Sequence, residues 1–452
     1  MRHLFGTDGI RGVAGEYPLD LPTVERIGLA LAWTLREEEK AENPRILVGR
    51  DTRESGIALE AALARGIAKG GGAVSLLGVV TTPAVAYLTL SGGFDAGVVL
   101  SASHNPYRDN GIKVFSRRGT KLPDSEELGI ERRILGADFN PSPRRAPDPA
   151  PAEDLLEGYL GALARSFGEG KPFQGVRVVL DCAHGATWQI APELFARLGA
   201  ETSLLGHAPD GKNINTECGS MHPEGLARRV LEDGADIGFA FDGDGDRVVV
   251  VDRAGRILDG DFILYQAAED LHERGILDGD GVVATVMSNL WLEKALASRG
   301  IRMIRAAVGD KYVLEEMIRG GFVLGGEQSG HVIFLREATT GDGILTALKF
   351  LDLLRRRRLD LAAWAATITR CPQVLLNVRV GSKPPLESLT EIREAIARVE
   401  RELQGTGRVL LRYSGTEPVL RVMVEGEDEA RILRSATDLK DLVLARLGGT
   451  GA

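Results

Sequence analysis

Ser103 and His104 stand in SASHNP, residues 101–106, straight after the apolar run DAGVVL. The run from Ala96 to Leu100 reads as a buried strand, and Pro106 forbids its continuation. The serine and histidine therefore fall on a loop at the carboxyl end of a strand, where open parallel sheets bind ligands. A hydroxyl in that place is a candidate nucleophile. Asp242, Asp244 and Asp246 alternate with glycines in DGDGDR, residues 242–247, at the end of another apolar run, IGFAF. Three carboxylates this close repel one another unless a cation sits among them, and hard oxygen donors suit magnesium or calcium. An EF-hand is excluded, because its sixth position, a glycine, would be Arg247 and its twelfth, a glutamate, Arg253. The other reading is a solvated turn, against which VVVV, next along the chain, buries the flank at once.

Further polar stretches carry complementary groups. GGEQSGH, residues 325–331, sets Glu327, Gln328, Ser329 and His331 on a glycine frame after an apolar run. Such groups recognise sugar hydroxyls; alone, the stretch reads equally as a polar turn. In RYSGTEP, residues 412–418, Arg412, Ser414 and Thr416, with backbone amides near Gly415, make a phosphate cradle to which Arg421 adds a fork. A plain hairpin turn is the alternative there. FGTDGIRG, residues 5–12, offers Thr7 and Arg11 to an anion. In NGIKVF, Lys113 lies ten residues after Ser103, a base if its neighbours lower its pKa and a surface lysine otherwise.

The elements that must position these groups repeat. RILVG (45–49), a helix from about residue 55, AVSLLG and AGVVL form one β–α–β set; VRVVLD (176–181), a helix over TWQIAPELFARLG, ETSLLG and ADIGFAFD form another; GVVATV (281–286), a helix over NLWLEKALASRG, IRMIRAAV and FVLGG form a third. Alternating strands and helices imply mostly parallel sheets. The last part differs: QVLLNVRV (373–380) alternates, residues 386–403 space Leu386, Leu389, Ile392, Ile396, Val399 and Leu403 as an amphipathic helix, RVLLRY and VLRVMVEG form a hairpin around SGTEP, and a closing helix begins near Asp428. The expected architecture is α/β: three consecutive domains of similar core with mixed or parallel sheets, 1–150, 151–254 and 255–370, then an α+β domain, 371–452, around a central cleft. The first boundary is the stretch NPSPRRAPDPAPA (140–152), whose five prolines preclude a helix or a central strand.

Bulk properties narrow the class. At 452 residues, 44% of them apolar, the chain can build several cores, and its net charge of −9 argues against a nucleic-acid partner. The one basic run, RRRR at 355–358, reads as a solvated helix face. Cys182, Cys218 and Cys371 are widely spaced with no CxxC, which fits reduced thiols in the cytoplasm. The opening MRHLFGTDGIRG has no apolar signal core, and no run is long enough to span a membrane.

A cation site, a nucleophilic hydroxyl, a basic residue, a sugar-type loop and an anion loop are the parts of a phosphoryl-transfer site, with Ser103 as the group that carries the phosphoryl. In their order and spacing, SASHNP, DGDGDR, GEQSGH and RYSGTEP resemble the α-D-phosphohexomutases along the full chain, and FGTDGIRG with GEQSGH is similar to the branch that acts on glucosamine phosphates. The resemblance implies a phosphoserine at Ser103 and one magnesium held by Asp242, Asp244, Asp246 and a phosphoserine oxygen. Lys113 is implied as general acid/base, helped by Arg11 and His104, with Arg247 against the phosphate or the metal loop. Glu327 and Ser329 are implied to hold sugar hydroxyls, and Arg412, Ser414, Gly415, Thr416 and Arg421 the non-reacting phosphate. The implied reaction interconverts glucosamine 6-phosphate and glucosamine 1-phosphate through a 1,6-bisphosphate, on the way to UDP-N-acetylglucosamine and the bacterial cell wall; homodimers are common in the family. The rival readings are the same chemistry on mannose or glucose phosphates, a sugar-phosphate phosphatase using the first aspartate, and a catalytically dead sensor. A serine hydrolase is disfavoured, since no Gly-x-Ser-x-Gly elbow surrounds Ser103. Arg108, where the family commonly has a neutral or aromatic residue, is expected to point to solvent.

Overall fold

The computed structural model describes residues 4–142, 144, 146–403, 405–414 and 418–451. Two compact units result: Met1–Thr285 with Ile301–Ala366, and Val286–Gly300 with Thr367–Ala452.

The first unit holds three sheets. The seven-stranded one runs Phe5–Gly6, Gly9–Val13, Asp109–Ser116, Ala96–Leu100, Arg45–Arg50, Ala73–Val79, Ala150–Pro151. Arg45–Arg50 is parallel to both its neighbours, and Ala96–Leu100 meets Asp109–Ser116 antiparallel. The five-stranded sheet runs Ile257–Leu258, Val248–Asp252, Ile237–Phe241, Arg177–Asp181, Glu201–Leu205, and the four-stranded one Arg302–Ala306, Gly281–Thr285, Leu324–Gly326, Val332–Phe334. Continuous apolar runs become these strands because helices cover both faces; Ala96–Leu100, Ile237–Phe241 and Gly281–Thr285 are buried at every position. The proline-rich stretch supplies Ala150–Pro151 as an edge strand, where missing N–H groups are tolerated.

One topological feature recurs. In each sheet the last parallel strand turns back into an antiparallel partner: Ala96–Leu100 into Asp109–Ser116, Ile237–Phe241 into Val248–Asp252, Leu324–Gly326 into Val332–Phe334. SASHNP, DGDGDR and GEQSGH occupy those three connections. The three candidate motifs thus share one loop position, used three times.

The second unit is an antiparallel sheet ordered Gly407–Tyr413, Val419–Gly426, Gln373–Val380, Gly449–Gly451. Its core joins Val378, Leu420, Val422 and Val424 to Ile392, Val399, Ile432 and Leu439 of two helices. The single helix expected over 386–403 is divided: Leu386–Ser388 is a 3-10 turn, Leu389 leaves helical geometry, and the helix proper is Thr390–Leu403. The closing helix, Glu429–Leu447, is capped by Asp428, which accepts from the Arg431 N–H at 3.0 Å. Helix Leu290–Ser298 clusters with this unit; the Leu290 N–H donates to Glu425 Oε1 at 2.8 Å, and Arg408 donates to the Val286 and Ser288 carbonyls at 2.7 Å.

The arginine run at 355–358 is not simply solvated. It ends helix Gly343–Arg357, and Arg356 forks onto Asp270 at 2.9 and 3.0 Å while Arg357 reaches Gln266 and Glu269 at 2.8 and 2.9 Å. These pairs clamp helix Gly260–Glu273, because the run falls on a helix facing an acidic neighbour. Cys182, Cys218 and Cys371 are free thiols. Among the described residues, no helix is long and apolar enough to cross a membrane.

Candidate active site

Ser103 is buried, 1% exposed, with φ of +53°, a left-handed conformation that a non-glycine residue holds only when its surroundings impose it. The surroundings are a buried ion pair. Arg53 Nε lies 2.8 Å from Asp51 Oδ2, both side chains fully buried. The Arg53 guanidinium then donates to the carbonyls of Ser103 and Asn105 at 2.9 Å, of Asp109 at 2.9 Å, and of Pro106. Ser101 Oγ donates to Asp51 at 2.6 Å and accepts the Ser103 N–H at 2.9 Å. Asn215 donates to the Ser103 carbonyl at 2.9 Å. Burial pushes the Asp51 carboxyl up, against the pull of Arg53. Arg53→Met leaves that carboxylate without its partner and is expected to cost about 3 kcal/mol or more. Thermal melting followed by circular dichroism reads it; an unmoved first transition would show that the loop stands without the arginine.

Ser103 Oγ donates to Asp242 Oδ2 at 2.5 Å, so the nucleophile and the carboxylate cluster, 139 residues apart, meet. Asp242, Asp244 and Asp246 are buried, and each can offer an oxygen within 4.8 Å of the others. Burial, then the Asp246 and Asp244 carboxylates, push Asp242 well above the carboxylate range. Asp246 is held well below it; burial opposes this, but Lys113, His331 and Arg247 outweigh it. Thr82 Oγ1 donates to Asp244 Oδ2 at 2.5 Å, while Asp244 Oδ1 is buried with no hydrogen-bond partner among the described residues. A buried carboxylate oxygen left over, in a set of three hard donors, fits a divalent cation. The cluster can coordinate such a metal.

Lys113 is fully buried, its Nζ 2.8 Å from Asp244 Oδ2, 3.0 Å from Asp8 Oδ2 and 3.3 Å from Asp246 Oδ2. It is neither a surface lysine nor one with a depressed pKa. Burial alone would lower it, but the three carboxylates raise it well above the ordinary lysine value. Arg11 pairs with Asp8 and donates to the Ala102 carbonyl at 3.1 Å. His104 Nδ1 sits 3.4 Å from Ser103 Oγ and 3.0 Å from an Arg247 amine. Burial first, then the Arg247 and Arg11 charges, lower its pKa to about 4, so its ring is neutral. Arg247 also anchors the loop, its N–H donating to Asp242 Oδ1 at 3.2 Å. Arg108 is exposed beside the Tyr107 ring, as expected.

The glutamate loop docks onto the aspartate loop. Gly330 has φ of +93°, and a Cβ there would lie 2.1 Å from the Val248 carbonyl oxygen, so only glycine permits the approach. Its carbonyl accepts the Val248 N–H at 3.1 Å. Glu327 is buried and accepts the Gly309 N–H at 3.1 Å, whereas Ser329 is exposed. His331 lies 3.7 Å from Asp246 and 3.5 Å from Asp310, and its Nε2 accepts the Gly341 N–H at 2.8 Å; burial opposes its charge, but Asp246, Asp310 and Glu327 raise its pKa.

In the second unit, Arg412 and Arg421 are direct cross-strand partners. Like charges so placed repel; burial and Arg421 lower the pKa of Arg412, and Arg421 Nε is buried without a hydrogen-bond partner among the described residues. Two forks held together this way favour an anion. Ser414 is buried, and its carbonyl accepts from Lys383 at 2.7 Å. Gly415 and Thr416 lie outside the described residues.

Four family models cover the chain in order: phosphoglucomutase/phosphomannomutase alpha/beta/alpha domain I over residues 2–141, domain II over 157–255, domain III over 259–371 and the C-terminal domain over 375–442. The chain belongs to this family. It is a phosphohexomutase of four α/β domains, and its curated relatives narrow the branch. The chain is 46% identical over 452 residues to the phosphoglucosamine mutase of Citrifermentans bemidjiense, covering 99% of each, and 49% identical over 444 residues to that of Pseudomonas putida, covering 98% of each. A phosphoglucomutase/phosphomannomutase family structure from Burkholderia thailandensis superposes with a TM-score of 0.81 at 26% identity over 98% of both chains. The Aspergillus fumigatus N-acetylphosphoglucosamine mutase in complex with GlcNAc-6P and magnesium shares the fold, with a TM-score of 0.66 at 20% identity over 99% of this chain and 96% of that one.

Several residues that shape this phosphohexomutase's site were not singled out from sequence: Asp8, Asp51, Arg53, Thr82, Asn215, Lys121 and Asp310. Asp8 lay inside FGTDGIRG, and the charged triplet around Asp51 and Arg53 directly follows strand Arg45–Arg50, which was a usable signal. Thr82, Lys121 and Asp310 carry no local pattern.

Proposed function

We propose that this phosphoglucosamine mutase uses Ser103 as its phosphoryl carrier, and the observation that carries the reading is the Ser103–Asp242 hydrogen bond at 2.5 Å. It interconverts glucosamine 6-phosphate and glucosamine 1-phosphate. Phosphoserine at Ser103 gives its phosphoryl to the free sugar hydroxyl: the Ser103 oxygen–phosphorus bond breaks, a sugar oxygen–phosphorus bond forms, and the hydroxyl proton ends on Ser103 Oγ. The bound 1,6-bisphosphate then returns its other phosphoryl to Ser103: that sugar oxygen–phosphorus bond breaks, the Ser103 oxygen–phosphorus bond forms again, and the serine proton ends on the freed sugar oxygen.

Asp242, Asp244 and Asp246, with an oxygen on Ser103, would hold one magnesium, which spreads phosphoryl charge when bound. Lys113, protonated among its carboxylates, is suited to pass a proton to the departing serine oxygen and to recover one in the return step. Arg11 and Arg247 offset phosphoryl charge, and His104, neutral, hydrogen-bonds near Ser103. Glu327 and Ser329 would hold hydroxyls common to both orientations of the sugar. Arg412, Ser414, Gly415, Thr416 and Arg421 would hold the non-reacting phosphate, reading charge and little else, since either phosphate must fit. The domain division 1–150, 151–254, 255–370 and 371–452 assigns these roles in turn to the phosphoserine loop, the metal, the sugar and the phosphate; the setting would be cytoplasmic, with a homodimer as one assembly to test.

Turnover of glucosamine, mannose and glucose 6-phosphates, with inorganic phosphate release measured in parallel, tests the substrate. Fastest turnover of glucosamine 6-phosphate with no steady phosphate release is expected. Brisker turnover of mannose or glucose phosphate would move the enzyme to a sister branch, and steady release would make it a phosphatase.

A further inference from the structure

Lys121 follows the turn that closes strand Asp109–Ser116, and its side chain is only 8% exposed. The turn itself is tied across the unit, since Thr339 Oγ1 donates to the Gly119 carbonyl at 2.5 Å. The buried ammonium bridges two carboxylates from distant parts of the chain. It pairs with Asp8 Oδ1, and it meets Asp310 at 2.8 Å from Oδ1 and 2.6 Å from Oδ2. Each carboxylate leads on to a site group. Asp8 places its other oxygen 3.0 Å from Lys113 Nζ. Asp310 opens helix Asp310–Gly320 directly after Gly309, whose N–H holds Glu327 Oε1 at 3.1 Å. Gly309 has φ of +128°, so this short link has a backbone shape of its own.

We infer that Lys121 is a positioning residue: through Asp8 it sets the Lys113 amine, and through Asp310 and Gly309 it sets the Glu327 carboxylate, so that proton carrier and sugar anchor keep one separation. The inference rests on the mutase reading, which gives Lys113 and Glu327 their roles. Its physics is local. Without the ammonium, Asp8 and Asp310 would face each other as like charges in a buried space, and each would turn away and carry its partner with it. Phosphoryl transfer depends on such groups staying within about half an ångström of their places. A lysine suits the task because its three donors can serve one oxygen of Asp8 and both of Asp310.

The test compares wild type, Lys121→Met and Lys121→Arg in steady-state turnover of glucosamine 6-phosphate, each below its melting onset. Lys121→Met is expected to lower kcat about tenfold and raise KM about threefold, and Lys121→Arg, which keeps the charge, to recover about half of the loss or more. Values for Lys121→Met within about twofold of wild type overturn the inference, as does equal impairment of the two variants, which would assign the effect to packing. Should Lys121→Met not fold, Asp310→Asn keeps the ammonium and the volume; a raised KM supports the link and unchanged constants overturn it. Wild-type protein that turns over no hexose phosphate removes the mutase reading and the inference with it, an outcome distinct from an active wild type with an indifferent Lys121→Met.

Discussion

Ser103→Ala is expected to lower glucosamine 6-phosphate turnover by on the order of 10⁴-fold or more, while the protein stays folded. On the proposed reading the serine oxygen is the atom to which the phosphoryl is bonded between half-reactions, so the methyl group removes the carrier itself. Little else changes. The Ser103 N–H and carbonyl, which hold the loop to Ser101, Arg53 and Asn215, are main-chain groups that alanine keeps. Two side-chain contacts are lost, the bond to Asp242 and the 3.4 Å contact with His104 Nδ1. The check has three parts: a coupled turnover assay, intact mass to give the phosphorylated fraction, and a melting curve. Wild-type activity should rise with the phosphorylated fraction. A variant that keeps more than about a tenth of wild-type turnover would show that the phosphoryl travels without this oxygen.

Asp242→Asn should separate folding from catalysis. The carboxyl is buried beside Asp246 and Asp244, which disfavour its charge. The amide keeps the shape and leaves Lys113 with its contacts to Asp8, Asp244 and Asp246; its one oxygen can still accept from the Arg247 N–H, while its NH2, in the place of Oδ2, donates to the Ser103 hydroxyl. With a chelator present, the melting midpoint should therefore equal or exceed that of wild type. Turnover should fall by about 10²- to 10³-fold, since on the proposed reading one of three anionic donors to the cation is gone. Midpoint and turnover, each titrated with magnesium, check this. Wild type should gain stability as the ion binds. The variant should gain less and need more magnesium. A variant with wild-type magnesium dependence would place the ion elsewhere.

The strands were legible because sheets covered on both faces demand continuous apolar runs, which AGVVL and IGFAF supply without long-range information. The site motifs were legible for the converse reason: SASHNP and DGDGDR are too polar, too close to glycine and proline, and too abruptly joined to those runs to be core. The helix over 386–403 was overextended because apolar spacing continues through Leu386 and Leu389, while the backbone there is a 3-10 turn followed by a break. Glu327 and Ser329 stand two residues apart on one loop, yet one is buried and the other exposed, a difference their spacing does not show.

By itself, then, the sequence determined the repeated strand–helix pattern, the four site loops and the kind of chemistry their residues can do. Those are local properties, set by side-chain type, spacing and backbone freedom. The tertiary structure alone decided the electrostatic state of the site. Lys113 is held protonated by carboxylates from two other loops, His104 is kept neutral by burial and two arginines, and Lys121 joins partners 113 and 189 residues away. A charge in a buried site takes its energy from whatever lies within a few ångströms, and chain folding, not order along the chain, chooses those neighbours.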